Sequence, residues 1–286
     1  MRLRQEDVTI PAAMDSAMWI DHKFAAWKRG PWIPALLRRA TDDLQRYYQR
    51  PIQEIAARYW EARAPADSAA PAAVLDHYQA TEQYIYESSM FDAVAEQQWC
   101  FEQVRRACTQ FRRTPVLDFG GGAGGLALSL AGVPCDYADI PGRTLDFARW
   151  RFERHACPVR VLDATEPLPA GAYQAIVTLD VLEHLPDIRA TLGRLAAALA
   201  PGGWLITKST FAGGDPMHLP QNLRYADFRQ FDRLMIGCGL RYRGRIRPDP
   251  ISEWRFKQLR RPRIWRVWLD RKPKFGGRWT VHELVS

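Results

Sequence analysis

The sequence predicts an α/β protein with a mostly parallel sheet, preceded by a helical N-terminal part. Three observations favour this fold class: apolar and amphipathic runs alternate from residue 114 onward, glycines cluster after the first apolar run, and the first 110 residues have helical periodicity. Alternating strands and helices are typical of a parallel sheet that is covered by helices on both faces and connected by right-handed crossovers.

The N-terminal part is expected to be helical throughout. Its apolar residues recur at steps of three and four, and Pro51 interrupts them. An Ala/Pro-rich stretch, "EARAPADSAAPAAV", reads as a loop, and a further helical run follows from about 74 to 111. We therefore predict a helical cap or lid over residues 1–112 and a sheet domain over residues 113–286.

Within the sheet domain, strands and helices are expected to alternate. Strands are predicted near 115–119, 134–139, 159–163, 173–179 and 203–210, with helices near 123–132, 142–155, 187–199 and 223–237. Two last strands, near 239–247 and 277–284, have no obvious long helix between them, which favours an antiparallel edge.

Composition limits the class of protein. The chain has 286 residues, 47% of them hydrophobic and 25% charged, as in globular domains. No apolar run reaches the roughly 20 residues of a membrane span, and no signal peptide is evident, so a cytoplasmic protein is expected. The five cysteines are scattered without a CxxC pair, and neither disulfides nor a zinc knuckle is indicated.

The glycine cluster indicates a ligand that approaches the backbone closely. Five of the six residues from 120 to 125 are glycine, and Gly120, Gly122 and Gly125 fit the pattern GxGxxG between a strand and a helix. An acid, Asp139, follows at the predicted end of the next strand, where a carboxylate can accept from both ribose hydroxyls. This combination predicts an adenosine-type ligand, and nicotinamide and flavin enzymes also use such a loop.

Five segments narrow the choice. In order they are "VLDFGGGAGG", "YADI", "VLDATEPLP", "AIVTLDVLEHLPD" and "LAPGGWLITKST", spread over about residues 114–211. Together they resemble the successive motifs of class I S-adenosylmethionine (SAM)-dependent methyltransferases of the small-molecule type. The resemblance implies a Rossmann-like sheet, SAM as cofactor and S-adenosylhomocysteine as product.

The resemblance also implies cofactor contacts around the first two strands. Asp118 would lie near the ammonium of SAM, where a carboxylate offsets positive charge. Gly120 and Gly122 would admit the methionine portion against bare backbone. Asp139 would hold the ribose, and Ile140 would pack on the adenine face.

Further contacts are implied along the same edge of the sheet. Asp163 would accept from the adenine amino group, although acids at strand ends also cap turns, and Ala164 would leave room for the ring. Leu179 and Asp180 would contact SAM at the end of the fourth strand. Tyr84 would reach the cofactor from the helical lid, or serve as a core aromatic there.

Two histidines are candidate catalytic residues. His218 follows the fifth strand, in a loop that borders the acceptor pocket in this fold, and histidine can take a proton from a hydroxyl or amine near neutral pH. Asp215 could orient it. His184, in "DVLEHLPD", has the same chemistry, but its position favours a structural role after the fourth strand. No pattern of metal ligands is evident.

Other functions stay open at this stage. A SAM-dependent aminocarboxypropyl transferase or cyclase, an RNA or protein methyltransferase, and a non-catalytic SAM-binding module would carry the same cofactor motifs. Residues 241–278 hold fourteen Lys and Arg against three acidic residues and account for more than the formal net charge of +8. This basic segment, centred on a Trp-rich insertion at about 250–275, could form a short helix after Pro262. It could bind nucleic acid, an acidic carrier protein or an anionic substrate tail, or pack its tryptophans on the domain with its arginines in solvent.

The preferred hypothesis is a methyltransferase acting on a small-molecule acceptor in specialised biosynthesis. Nucleic acid is not expected as the acceptor, because the fourth strand lacks the Asn/Asp-Pro-Pro-aromatic sequence used on base amines. A homodimer is compatible with the sequence, which does not determine the oligomeric state.

Overall fold

The computed structural model describes residues 32–62, 71–212, 218–248, 267–270 and 279–285. The described residues divide into two compact units. One contains residues 32–62 and 82–100, and the other contains residues 71–81 together with everything described from 101 onward.

Helices and strands are numbered here in chain order. The α-helices are α1 (Pro34–Tyr48), α2 (Ile52–Ala62), α3 (Pro71–Ala80), α4 (Gln83–Phe91), α5 (Ala95–Gln110), α6 (Gly125–Ser129), α7 (Arg143–Arg154), α8 (Ile188–Ala198) and α9 (Phe228–Ile236). The strands are β1 (Val116–Phe119), β2 (Cys135–Asp139), β3 (Arg160–Asp163), β4 (Tyr173–Leu179), β5 (Leu199–Lys208), β6 (Leu240–Pro248), β7 (Val267–Asp270) and β8 (Trp279–Leu284). Two 3₁₀ helices cover Leu182–His184 and Pro220–Ala226.

The first unit is a small helical assembly. Helix α1 begins with Pro34, which is tolerated there because the first turn has no intrahelical partner for an N–H group. Leu37 and Leu44, one face of the helix, are fully buried. The rings of Tyr59 on α2 and Tyr86 on α4 lie 4.7 Å apart between centroids, so aromatic packing joins these helices.

The second unit contains the sheet. The strand order is β3-β2-β1-β4-β5-β8-β6-β7, and β1 to β5 are parallel. All four residues of β1 and five of the seven residues of β4 are buried, as expected for strands covered on both faces. The order of strands reverses between β1 and β4, which is where open parallel sheets bind ligands.

The mostly parallel sheet predicted from the sequence is confirmed, and its antiparallel side is more elaborate than expected. Strand β8 is antiparallel to β5 and lies between β5 and β6. An additional strand, β7, pairs antiparallel with β6, with Arg247 opposite Trp268. The prediction of a helix after Pro262 is wrong at residues 267–270. These residues form a strand, because their backbone groups form hydrogen bonds with β6. Residues 249–266 and 271–278 of the basic segment lie outside the described residues.

Two helices differ in extent from the prediction. Helix α6 covers only Gly125–Ser129. The helix expected over 223–237 is divided, because Asp227 leaves the helical conformation and its side chain accepts from the amide of Arg229 at 2.9 Å. That hydrogen bond is an N-cap and starts α9 as a separate helix. In the described part of the chain, no helix has the length and apolarity needed to cross a membrane.

Candidate functional site

The glycine loop lies at the point where the strand order reverses. Gly120, Gly122 and Gly124 have φ angles of +70°, +56° and +79°, in the left-handed region that favours glycine. A Cβ atom on Gly120 would lie 2.7 Å from Cγ2 of Val181, which follows β4. The ends of β1 and β4 therefore come together only because residue 120 has no side chain.

Asp118, which precedes the glycine loop, links it to helix α6 through a hydrogen bond. Its side chain is buried, and Oδ2 accepts from the amide of Ala127 in α6 at 3.2 Å. A Cβ on Gly121 would lie 2.6 Å from the same oxygen. The carboxylate thus holds the first turn of the helix close to the loop, and its contact with the ammonium of SAM stays a prediction.

Asp139 connects the end of β2 to the glycine loop. Its Oδ2 accepts from the amide of Gly122 at 2.8 Å and from the hydroxyl of Tyr137 at 3.1 Å, and its Oδ1 accepts from the amide of Ile140 at 2.8 Å. Burial raises the pKa of Asp139 to about 6, although these three hydrogen bonds act in the opposite direction. The carboxylate lies where the ribose of an adenosine ligand is expected.

The predicted adenine residues lie beside Asp139. Oδ1 of Asp163 accepts from both the amide and the hydroxyl of Thr165, at 2.7 and 2.6 Å, so the side chain forms the turn after β3. The amide of Ala164 donates to the carbonyl of Asp139 at 2.8 Å, which ties the ends of β2 and β3 together. Asp163 and Ile140 are half-buried, and Ala164 is buried.

A cavity opens along this edge between β3 and the start of α7. Its volume is about 220 Å³, and it is lined by Pro141, Gly142, Leu145, Asp146, Arg149 and Asp163. Asp163 thus faces open space on one side while one of its oxygens holds the turn. The hydrogen bond from the adenine amino group to Asp163 stays a prediction.

The end of β4 has a strained residue held by an ion pair. Asp180 is a non-glycine residue with φ of +53°, and its amide donates to the carbonyl of Lys208 at 2.6 Å. Its carboxylate also pairs with the ammonium of Lys208 at the end of β5. The neighbouring Leu179 is half-buried. Lys208 was missed by the sequence reasoning, although a lysine at a strand end next to an acid-bearing strand is a usable signal.

The two candidate histidines lie next to each other. The ring centroids of His184 and His218 are 5.0 Å apart, although the residues belong to the loops after β4 and β5. Nδ1 of His218 lies 2.7 Å from the carbonyl oxygen of Ala212. In the neutral tautomer with the proton on Nδ1, that N–H donates to the carbonyl, which fixes the orientation of the ring.

Glu183 completes this cluster and was also missed from the sequence. Its side chain is 1% exposed, and Oε1 accepts from the amide of Thr210 at 2.7 Å. One ligand atom from each of Glu183, His184 and His218 lies within 4.8 Å of the others. Its position immediately before His184 in "LEH" was the available signal, but nothing in the sequence showed that the carboxylate turns inward.

Helix α3 brings further side chains to this edge within the same unit. The ring of Tyr78 meets that of His184 edge-on, with centroids 5.8 Å apart. A Cβ on Gly142, which precedes α7, would lie 2.5 Å from the carbonyl oxygen of Gln79. Asp215 lies outside the described residues, so its role beside His218 stays a prediction. Tyr84 belongs to the other compact unit, and the contact of Tyr84 with a cofactor also stays a prediction.

The glycine loop, Asp139 and the two histidines thus lie at the carboxyl edge of a parallel sheet, and comparison with known proteins identifies the family of the chain. The family model described as "Methyltransferase domain" matches residues 86–238. The chain therefore belongs to the class I SAM-dependent methyltransferase family, as the motif order in the sequence predicts.

Among curated proteins, the chain is similar to a ubiquinone biosynthesis O-methyltransferase of Bordetella avium. The two are 36% identical over 99 residues, which are 32% of this chain and 40% of that protein. An uncharacterized methyltransferase of Mycobacterium bovis is 40% identical over 95 residues, covering 32% of this chain and 47% of the relative. The chain thus spans less than half the length of these relatives.

Solved structures with a similar fold have low sequence identity. A SAM-dependent methyltransferase from Aquifex aeolicus is 20% identical, with a TM-score of 0.39 over 46% of this chain and 73% of that one. Phosphoethanolamine N-methyltransferase 2 of Haemonchus contortus, in complex with SAM, is 20% identical, with a TM-score of 0.38 over 55% of this chain and 40% of that one.

Proposed function

We propose that the protein transfers the methyl group of SAM to a hydroxyl oxygen of a small molecule in a biosynthetic pathway. The observation that carries the proposal is the convergence of three groups at one edge of the sheet: the glycine loop after β1, Asp139 at the end of β2, and the histidines after β4 and β5. Membership in the methyltransferase family supports the cofactor, and the names of the curated relatives favour oxygen as the attacked atom.

The loop and Asp139 suit the cofactor. Positive φ angles at Gly120 and Gly122 turn the chain tightly, so that backbone rather than side chains faces the ligand. Each oxygen of Asp139 already accepts from a backbone amide, which holds the carboxylate in one orientation for the ribose hydroxyls. Bound SAM supplies an electrophilic methyl group that needs no further activation.

The chain must also align the acceptor hydroxyl with the methyl group and promote the loss of the hydroxyl proton. An acceptor hydroxyl must lie about 3 Å from the methyl carbon, in line with the bond that breaks, and must lose its proton as it attacks. His184 and His218, which follow β4 and β5 at this edge of the sheet, are the side chains that we assign to this proton. The carbonyl of Ala212 holds the ring of His218 in one orientation, and the proposal assigns the histidines to removal of this proton.

Product analysis tests this proposal. The purified protein would be incubated with SAM and a panel of phenols, catechols, amines and activated carbon acids, and products would be identified by mass spectrometry. The proposal expects a methylated oxygen and S-adenosylhomocysteine in equal amounts. Methylthioadenosine instead would identify an aminocarboxypropyl transferase or cyclase, and nitrogen or carbon methylation would overturn the assignment to oxygen.

The alternative of an RNA or protein acceptor rests on the basic segment over 241–278. It would require binding to nucleic acid that weakens steeply as salt rises, because counterions are released from phosphates. Our proposal expects no such binding at physiological salt. The cytoplasmic location and the lid role of residues 1–112 remain part of the proposal, and so does a small molecule as the partner.

A further inference from the structure

A buried carboxylate beside the two histidines has an oxygen that lacks a partner. Oε2 of Glu183 is fully enclosed, and within the described part of the chain it makes no hydrogen bond. Leaving a buried carboxylate oxygen unsatisfied costs free energy. The other oxygen is satisfied by the amide of Thr210, so the side chain is held in place with one oxygen left for a donor or a cation.

The groups around this oxygen suit a metal ion. The ligand atoms of Glu183, His184 and His218 lie within 4.8 Å of one another, and two are imidazole nitrogens. Ligands of a tetrahedral zinc ion are separated by roughly 3.4 Å for metal–ligand distances near 2.1 Å. The ligand atoms can lie up to about 1.4 Å farther apart than this, so closing the set around one ion requires the two half-buried histidines to move toward Glu183.

The surroundings of the cluster resemble those of metal ligands. A ligating histidine usually donates its second ring N–H to a carbonyl or carboxylate, which fixes the tautomer. His218 has this arrangement with the carbonyl of Ala212 at 2.7 Å. Asn222 holds the loop that carries Glu183, because its side-chain amide donates to the carbonyls of Glu183 and Leu185 at 3.2 and 2.8 Å.

We propose that Glu183, His184 and His218 form a binding site for a divalent transition-metal cation, with Zn²⁺ as the best fit. Two imidazoles and one carboxylate are a ligand set of catalytic zinc sites, which leave a position open for an oxygen of the substrate. Mg²⁺ and Ca²⁺ prefer oxygen ligands and suit this set poorly. The inference rests on the proposed function, because it assigns the open position to the acceptor hydroxyl.

The site would explain how a weakly acidic hydroxyl is made reactive. A cation at the cluster lowers the pKa of an oxygen that it binds. The acceptor O–H then gives its proton to water, its oxygen forms a bond to the methyl carbon as the sulfur–carbon bond breaks, and the sulfur keeps the electron pair. The class of acceptor that fits is a phenol, catechol or enol with an oxygen free to bind the cation.

Metal binding can be measured without activity. Protein treated with a chelator would be titrated with Zn²⁺ by calorimetry, and with Co²⁺ while visible absorption reports a tetrahedral site. We expect one ion per chain, and we expect Mg²⁺ not to compete. Glu183→Gln keeps an oxygen for the Thr210 amide, and it should weaken Zn²⁺ binding by more than about 100-fold, the upper range for losses in the surroundings of a metal site.

His218→Gln provides a second variant at a half-buried position, and His155→Gln is the matched control, because His155 lies after α7 and outside the cluster. Circular dichroism would verify that each variant folds. The inference is supported if His218→Gln weakens Zn²⁺ binding and His155→Gln does not. It is overturned if the wild-type protein binds no Zn²⁺, or if His155→Gln weakens binding as much as His218→Gln.

S-adenosylhomocysteine would be titrated into the same metal-free protein. If it binds while Zn²⁺ does not, the metal site is wrong and the proposed function stands, with the histidines acting as direct proton acceptors. If neither ligand binds, both proposals fail.

Discussion

The backbone amide of Gly122 donates to Oδ2 of Asp139 across 2.8 Å, so the glycine loop after β1 is tied to the end of β2. The same carboxylate is the expected ribose ligand, which means that loop shape and cofactor binding depend on one side chain. Asp139→Asn should therefore weaken S-adenosylhomocysteine binding by roughly 10- to 100-fold, from the 1.5–3 kcal/mol typical of hydrogen bonds to a charged group.

Calorimetry would measure this loss, with Asp42→Asn as the control. Asp42 is an exposed acid on α1 that pairs with Arg46 on the same helix. Equal affinities for Asp139→Asn and the wild-type protein would contradict the assignment of Asp139 to the ribose.

The raised pKa of Asp139 predicts that cofactor binding depends on pH. Burial raises this pKa from 3.8 to about 6, so the carboxyl is mostly protonated below that pH and mostly ionised above it. The ionised form accepts more hydrogen bonds from ribose hydroxyls. Affinity for S-adenosylhomocysteine should therefore fall by about tenfold per pH unit below the pKa, and level off above it.

Titrations between pH 5 and 8 would check this dependence. Asp139→Asn should remove most of it, because an amide does not ionise in this range. A wild-type profile with no change near pH 6, or a variant that keeps the wild-type slope, would show that another group controls binding.

Close approach of β1 and β4 predicts a steric cost at Gly120. Gly120→Ala adds a methyl group 2.7 Å from Val181 to a residue with φ of +70°. Left-handed backbone at a non-glycine residue costs about 1–3 kcal/mol and overpacking a similar amount, so the free energy of unfolding should fall by roughly 2–6 kcal/mol.

Gly132→Ala separates the two causes. Gly132 has φ of +84°, but a Cβ there meets nothing within 4 Å. Gly132→Ala should therefore lose only the stability that left-handed backbone costs a non-glycine residue. Chemical denaturation would compare the free energies of unfolding of Gly120→Ala and Gly132→Ala. Combining Gly120→Ala with Val181→Ala should recover the stability that is lost to the steric contact. Equal losses for the two alanine variants would contradict the close contact.

The ion pair between Lys208 and Asp180 predicts a conformational role at the end of β4. Asp180 has a positive φ, which asparagine also tolerates and alanine does not. Asp180→Asn should remove the charge from the Lys208 pair but keep the backbone, whereas Asp180→Ala should also strain it. We expect Asp180→Ala to be less stable than Asp180→Asn by about 1 kcal/mol.

Thermal unfolding of both variants would test this order. Both substitutions remove the charge, so equal stability of the two variants, or a less stable Asp180→Asn, would contradict the role of the backbone conformation at residue 180.

The sequence was most informative where local pattern and topology agree. Strands β1 to β5 and the residues at their ends follow from apolar runs and the rule that parallel strands present ligands at their carboxyl ends. Strand β7 was missed, because four residues in a basic, Trp-rich stretch have no periodicity that separates strand from helix. Its conformation depends on pairing with β6, which only the folded chain supplies.

The candidate site was predicted only in part, because some of its residues are brought together by contacts that only the folded chain supplies. Glu183 and Lys208 have no distinctive local pattern, and their importance arises from inward orientation and from partners in other loops. The proximity of His184 and His218 is also a tertiary feature, since 33 residues of chain separate positions 184 and 218. Motif order could identify the cofactor, but not the cluster that faces the acceptor.

Binding of the methyl donor is tested most directly by calorimetric titration of the protein with S-adenosylhomocysteine, SAM and NAD, repeated with Asp139→Ala. We expect micromolar binding of both adenosylated sulfur ligands, no binding of NAD, and loss of both interactions in the variant. Absence of binding to SAM and S-adenosylhomocysteine, or equal binding by Asp139→Ala, would contradict the central claim that this edge of the sheet holds the methyl donor.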